Sequence, residues 1–162
     1  METAEIELLR TLLYHQPVAA LSTLHKGRPA VSMVPFAVLP ATGELVIHVS
    51  TLATHTGDMV ANPAVAMLIT GSPGQAETPL ALPRVSFQGE ARVCPPDTPE
   101  YEKARCRYLE KLPDAEPLFS FSDFSLFLVS PESVRFVAGF GRARSISPER
   151  LREILSGDGN DA

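Results

Sequence analysis

Between Ser50 and Asn62-Pro63 the chain reads STLATHTGDMVANP, which sets one serine, three threonines and one histidine within the seven residues from Ser50 to Thr56. Hydroxyls and an imidazole at this density are hydrogen-bond donors for an anion. The apolar run Leu45-Val46-Ile47-His48-Val49 precedes them as a strand, and a short helix follows that Asn62-Pro63 stops. The first N–H groups of a helix have no internal partner and carry the positive end of its dipole, so a phosphate placed there satisfies several at once. Serine and threonine also gather at helix starts to cap the backbone, and the same stretch reads locally as an ordinary N-cap cluster.

The elements that must position this stretch follow from periodicity and punctuation. Ile6, Leu9, Leu12 and Leu13 recur at helical spacing with acids early and Arg10 later, a first helix that ends before Pro17. Val18 to Leu24 is a strand, His25-Lys26-Gly27-Arg28 a turn, and Pro29 to Val38 the returning strand, with Ser32, Val34 and Phe36 on one face and Val31 and Met33 on the other. Pro35 cannot donate to a ladder, which places that strand at an edge, at a bulge, or with its unpaired side towards a ligand. Strands follow at Glu44 to Val49, Ala64 to Thr70 and, alternating cleanly, Arg84 to Val93, with a loose polar loop over Gly71 to Leu82. Thr98-Pro99-Glu100 opens a helix to about Leu112, and Pro113 and Pro117 leave room for a short turn of helix at most. Phe124 to Val129 and Ser133 to Val137 read as a closing hairpin around Ser130-Pro131-Glu132, and Ser147-Pro148 opens a last helix to Leu155. Short strands joined by tight turns are best satisfied by an antiparallel barrel. The expected fold is α+β, a six- to seven-stranded barrel with flanking helices, forming a single domain over residues 1–156 with a disordered tail from Gly157 to Ala162.

Composition narrows the function. Lys and Arg number 14 against 19 Asp and Glu, a formal charge of −5, which argues against general nucleic-acid binding, since that rests on cations neutralising phosphates. The Glu-rich amphipathic start is neither a signal peptide nor a membrane span, so the expectation is a cytoplasmic protein with no membrane partner. Cys94 and Cys106 stand apart and read as free thiols. No metal-ligand cluster, Ser-His-Asp order or P-loop is visible in the sequence.

Five motifs in order carry a resemblance. Val31-Ser32-Met33-Val34-Pro35-Phe36, then Ser50-x-Leu52-Ala53-x-His55-Thr56 with Asn62-Pro63, then Pro83-Arg84-x-x-x-x-Gly89, Asp123-Phe124, and Gly139-Phe140-Gly141-Arg142-Ala143 resemble the pyridoxamine 5'-phosphate oxidase-like FMN-binding split barrels. Within them the set is most similar to the haem-utilisation (HugZ-type) branch. The match runs from about Leu8 to Ile146.

The resemblance implies a split barrel that forms a homodimer, with an FMN site in each subunit cleft and a flavin-dependent oxidoreductase activity on an unknown small molecule. The FMN phosphate would sit near Ser50, Thr51, Thr54, His55 and Thr56, and the strand with Ser32, Met33, Val34 and Pro35 would run beside the flavin. The partner subunit would contribute Arg84, Gln88 and Arg142. Ser32 either reaches the phosphate or bonds across the sheet, His48 reads as a satisfied core or interface histidine, and His15 and His25 read as turn residues. Pyridoxamine oxidases proper use an Arg-Lys pair where this chain has His55-Thr56, a departure that weakens the phosphate grip. Haem binding or breakdown ranks second, because haem-binding members tend to take an axial histidine from the C-terminal part and every histidine here lies at or before His55. A deazaflavin, or a non-catalytic flavin carrier or sensor, fits the same corner.

Overall fold

A computed structural model describes residues 1–157 of the chain; the final part of the expected disordered tail, residues 158–162, lies outside the described residues. Helix α1 (Thr3–His15) opens with a reciprocal capping box between Glu2 and Glu5 and buries Leu9, Leu12 and Leu13. Strands β1 (Val18–His25) and β2 (Arg28–Pro35) form a hairpin. Its two-residue turn, Lys26-Gly27, takes positive φ at both positions, 51° and 76°, the backbone twist that matches two antiparallel strands.

After β2 come β3 (Ala37–Val38), β4 (Leu45–Ser50), α2 (Thr54–Ala61), β5 (Ala64–Thr70), β6 (Arg84–Val93), α3 (Pro99–Lys111), β7 (Phe124–Val137), β8 (Ala143–Ile146) and α4 (Pro148–Ser156). All pairings are antiparallel, and the sheet runs β2-β1-β5-β6-β7-β4-β3 with β8 added to β7. The two ends of that path, β2 and β3, are separated in the chain by the single residue Phe36. A sheet whose opposite edges are one residue apart must curl round on itself. This is the split barrel, and Phe36, fully buried, is its corner.

Two expectations are corrected. Ser130-Pro131-Glu132 is not a hairpin turn: β7 runs unbroken through it for 14 residues. Gln88 pairs with Ser133 and Gly89 with Pro131, so Glu132 is an extra residue in β7 and the ladder shifts there. A proline has no N–H to give, and a bulge is where a sheet tolerates it. The second half of β7 pairs with β6 on one edge and with β8 on the other, Val134 to Val137 against Ala143 to Ile146. The segment after α3 is also longer than a single turn, forming a 3-10 helix over Pro113–Ser120.

Packing divides into two clusters. The barrel interior, lined by Leu21, Val34, Phe36, Ile47, Phe87 and Phe136 among others, shares one core with α1 and α4. Arg144 of β8 ties α1 to the sheet through two bonds to the Glu5 carboxylate, at 2.9 and 3.2 Å. On the outside, α3 covers Ala37, Val46, Leu126 and Leu128 with Ala104 and Tyr108. Cys94, buried beneath it, and the exposed Cys106 are both free.

His48 belongs to this outer layer, and it is not satisfied there. It stacks on Phe119 at 3.8 Å with ring planes 8° apart, and its Nδ1 finds no partner among the described residues. Burial pushes its pKa down to about 4. The unfolded chain takes up this proton near pH 6.5 and the folded one only near 4, so stability falls as the pH drops through that window. Urea titrations at pH 7 and pH 4.5 are expected to show a loss of about 2 kcal/mol from this group, and His48→Phe is expected to remove that part of the loss; an unchanged pH profile would show that the ring is hydrated in the folded state.

Candidate functional site

The helix-start cluster and the β2 motif do meet. Ser32 faces α2 from β2, and its hydroxyl lies 3.0 Å from Nδ1 of His55 in the first turn of that helix. They line a cleft of about 380 Å³ together with Thr54, Ala30, Val31, Thr23, His25 and Asp58. Its floor is β1 and β2, whose residues directly opposite each other share a face: Thr23 with Ala30 and His25 with Arg28. Its wall is α2, where His55 and Asp58 lie three residues apart and so on one side of the helix.

Asp58 organises the cleft. One carboxylate oxygen accepts from the Thr23 hydroxyl at 2.9 Å, and the other lies 2.7 Å from Nδ1 of His25. The hydrogen bond from His25, aided by that from Thr23, holds the Asp58 carboxyl below its usual range against the opposing effect of burial. His55 is shifted down by burial, an effect that the Asp58 charge partly offsets. Two imidazoles are therefore held at Nδ1 by neighbouring side chains.

The remaining expected site residues are placed as follows. The Ser50 hydroxyl donates to Oδ2 of Asp123 at 2.7 Å, the Thr51 N–H donates to the Asp123 carbonyl, and the Thr56 hydroxyl donates to the Ser50 carbonyl at 2.6 Å. Val34 points into the barrel core, whereas Met33 lies exposed on the outer face and Pro35 ends the edge strand. Arg84 binds the carbonyls of Leu80 and Leu82, closing the loop before its own strand. Gln88 lines a separate cleft of about 310 Å³ on the sheet with Ser22, Ala66 and Glu132. Arg142 sits in the turn between β7 and β8, where Gly141 takes a φ of 74°. Within one chain none of these three arginine or glutamine residues lines the histidine cleft.

A larger cleft of about 570 Å³ lies elsewhere, between the end of α1 and α3, lined by Tyr14, His15, Arg107 and Lys111 among others. Its cations are spent on the fold: Arg107 donates to the Val38 carbonyl and Lys111 to that of Leu13.

His25 and Asp58 are the residues that sequence reading passed over. His25 is the last residue of β1 rather than part of the turn. A signal was present in the alternation of Thr23 and His25 on one strand face and in the three-residue spacing of His55 and Asp58, but each half means little until β1 and α2 are packed together.

Comparison with known proteins places this geometry. The chain is 36% identical over 151 residues to the chloroplastic heme oxygenase HOZ of Arabidopsis thaliana, covering 91% of this chain and 44% of that protein. It is 30% identical over 131 residues to heme oxygenase HutZ of Vibrio cholerae, covering 80% of this chain and 73% of that one. A solved heme binding protein from Mycobacterium smegmatis superposes with a TM-score of 0.81 at 29% identity, over 94% of this chain and 61% of the other. The chain thus spans less than half of the plant relative and about three fifths of the mycobacterial structure.

These relatives overturn the expectation of an FMN-dependent oxidoreductase, and the cleft gives a physical reason. The hydroxyls of Ser50 and Thr56 that were to hold the phosphate already donate within the chain. Asp123 accepts from both the Ser50 hydroxyl and the Thr51 N–H, so these expected phosphate donors are bonded within the chain. A model of the family described as pyridoxamine 5'-phosphate oxidase matches residues 6–138: the chain belongs to that family, in its haem-utilisation branch.

Proposed function

We propose that this protein binds haem in the cleft between β1, β2 and α2 and takes part in its oxidative breakdown. The observation that carries the reading is the pair of imidazoles, His25 and His55, each held at Nδ1 by Asp58 or Ser32, beside the edge strand β2. An imidazole fixed at one nitrogen presents the other as a metal ligand. The surroundings suit the rest of the group. Ala30 and Val31 give the cleft apolar lining, and Arg28, exposed and directly opposite His25 on the ladder, is a cation within reach of a propionate. When bound, haem would supply the redox and oxygen chemistry, and the chain would bind and orient it.

A homodimer accompanies this reading. Met33, Ala20 and Leu68 stand opposite one another across β2, β1 and β5 on the outer face of the sheet, with Met33 63% and Val31 76% exposed. An apolar stripe on an outer sheet face suits a second copy, and Arg84, Gln88 and Arg142, which lie outside the histidine cleft of their own chain, are the residues such a copy would offer.

Titration of the purified protein with ferric haem is expected to move the Soret band away from that of free haem and to saturate near one haem per chain, with light scattering reporting a dimer. A spectrum that remains that of free haem across the titration would refute haem binding. Loss of the haem spectrum under reductant and air, with a linear tetrapyrrole as product, would place the reaction with breakdown; a stable spectrum would leave binding alone.

A further inference from the structure

We infer that His25 supplies the axial nitrogen to haem iron and that Asp58, locked by Thr23, is the residue that positions and tunes it. The inference rests on the haem reading above and assigns its ligand.

Haem brings four nitrogen ligands of its own, so a single well-held imidazole from the chain is sufficient. The chain has four histidines, and the structure separates them. His48 is shut beneath Phe119. His15 ends α1 and lines the other cleft. His55 is held by the Ser32 hydroxyl, which can donate or accept, so the bond does not decide which nitrogen carries the proton. His25 alone faces a carboxylate at Nδ1. A carboxylate can only accept, so in the neutral ring Nδ1 carries the proton and Nε2 the lone pair, on a side chain that is 44% exposed.

The carboxylate is itself fixed. Asp58 is buried, and its second oxygen takes the Thr23 hydroxyl at 2.9 Å. Thr23, Asp58 and His25 therefore form a chain of hydrogen bonds that ends at a half-exposed imidazole. A carboxylate behind a ligating imidazole fixes the ring and raises its basicity, and losing such a partner typically weakens metal affinity by about 10- to 100-fold. Arg28, opposite His25 on the ladder and exposed, would be the cation available to a propionate. The group that holds the iron and the group that holds the rim of the ligand thus come from two ends of one tight turn.

The test is resonance Raman spectroscopy of the reduced, oxygen-free haem complex, with optical titration alongside. Wild-type protein is expected to show an iron–imidazole stretching band. His25→Ala is expected to lose it and to recover a six- or five-coordinate nitrogen-ligated spectrum on adding free imidazole, while His55→Ala keeps the band. Asp58→Asn is expected to keep the band, move it to lower frequency and bind haem about 10- to 100-fold more weakly. Because His25→Ala leaves the Asp58 charge without its imidazole, the double variant His25→Ala with Asp58→Asn removes both and serves as the second check, with circular dichroism confirming the fold. Should the band survive in the folded single or double variant, another residue ligates the iron and the assignment to His25 is wrong, although haem binding stands. Should wild-type protein leave the haem spectrum unchanged, the haem reading falls and this assignment falls with it.

Discussion

Gly89→Ala is expected to lower the thermal midpoint by about 9 °C, corresponding to about 3 kcal/mol in a chain of this size. Gly89 sits in β6 where the ladder shifts against β7, pairing with Pro131 across the bulge. A β-carbon built there would overlap the carbonyl oxygen of Ser130 and stand 3.2 Å from Cα of Pro131. Both are backbone atoms in the longest strand of the sheet, so no side chain can swing aside to relieve the clash. The strands must separate, and β7 is paired to β6 on one edge and to β4 and β8 on the other. Differential scanning calorimetry of the variant decides it; a midpoint within 2 °C of wild type would mean that the bulge moves freely and that Gly89 is not required by the close approach. The glycine in the Pro83-Arg84-x-x-x-x-Gly89 motif is thus explained by strand packing, without a ligand.

Phe36→Ala should cost about 4 kcal/mol and loosen the site as well as the core. Phe36 is fully buried at the corner that joins the two ends of the sheet. Its ring also carries the Lys111 ammonium, 3.6 Å from the centroid, whose own pKa burial pushes down to about 7. Removing the ring opens a cavity between α1, α3 and the barrel and frees β2 to swing, because β2 is an edge strand paired on one side only. Ser32, Ala30 and Val31 are on that strand, so the cleft wall moves with it. Chemical denaturation gives the stability change, and hydrogen exchange should show the β2 amides losing protection ahead of β5 and β6. Uniform loss across all strands would argue that the corner does not govern β2 in particular.

The local features of this chain were readable without coordinates. The α1 stop before Pro17, the Lys26-Gly27 turn, the alternation over Arg84–Val93, the Thr98 cap and the helix closed by Asn62 follow from propensities acting over a few residues. Ser32 and His55 carry ligand-type chemistry in the sequence, but that the Ser32 hydroxyl lies 3.0 Å from the imidazole is a fact of packing between β2 and α2. Pro131 misled, because the rule that proline breaks a strand is local and the bulge that excuses it depends on Gly89, far away in the chain. β8 was missed for a related reason: four residues with three exposed positions carry no periodic signal, and their pairing is set by the free edge of β7.

Which donors stay free for a ligand is a tertiary question. Ser50 and Thr56 carry the right chemistry for a phosphate, yet Asp123 and the Ser50 carbonyl already accept their hydrogen bonds. His25 and Asp58 are 33 residues apart, and only the docking of α2 on β1 makes them a pair. What the residue order by itself determined was the set of elements, their faces and the family they resemble, because those depend on periodicity and turn chemistry within a short span. The tertiary structure alone decided which polar groups were satisfied within the chain and which faced outwards, because a hydrogen bond across the sheet depends on register and packing between segments distant in sequence.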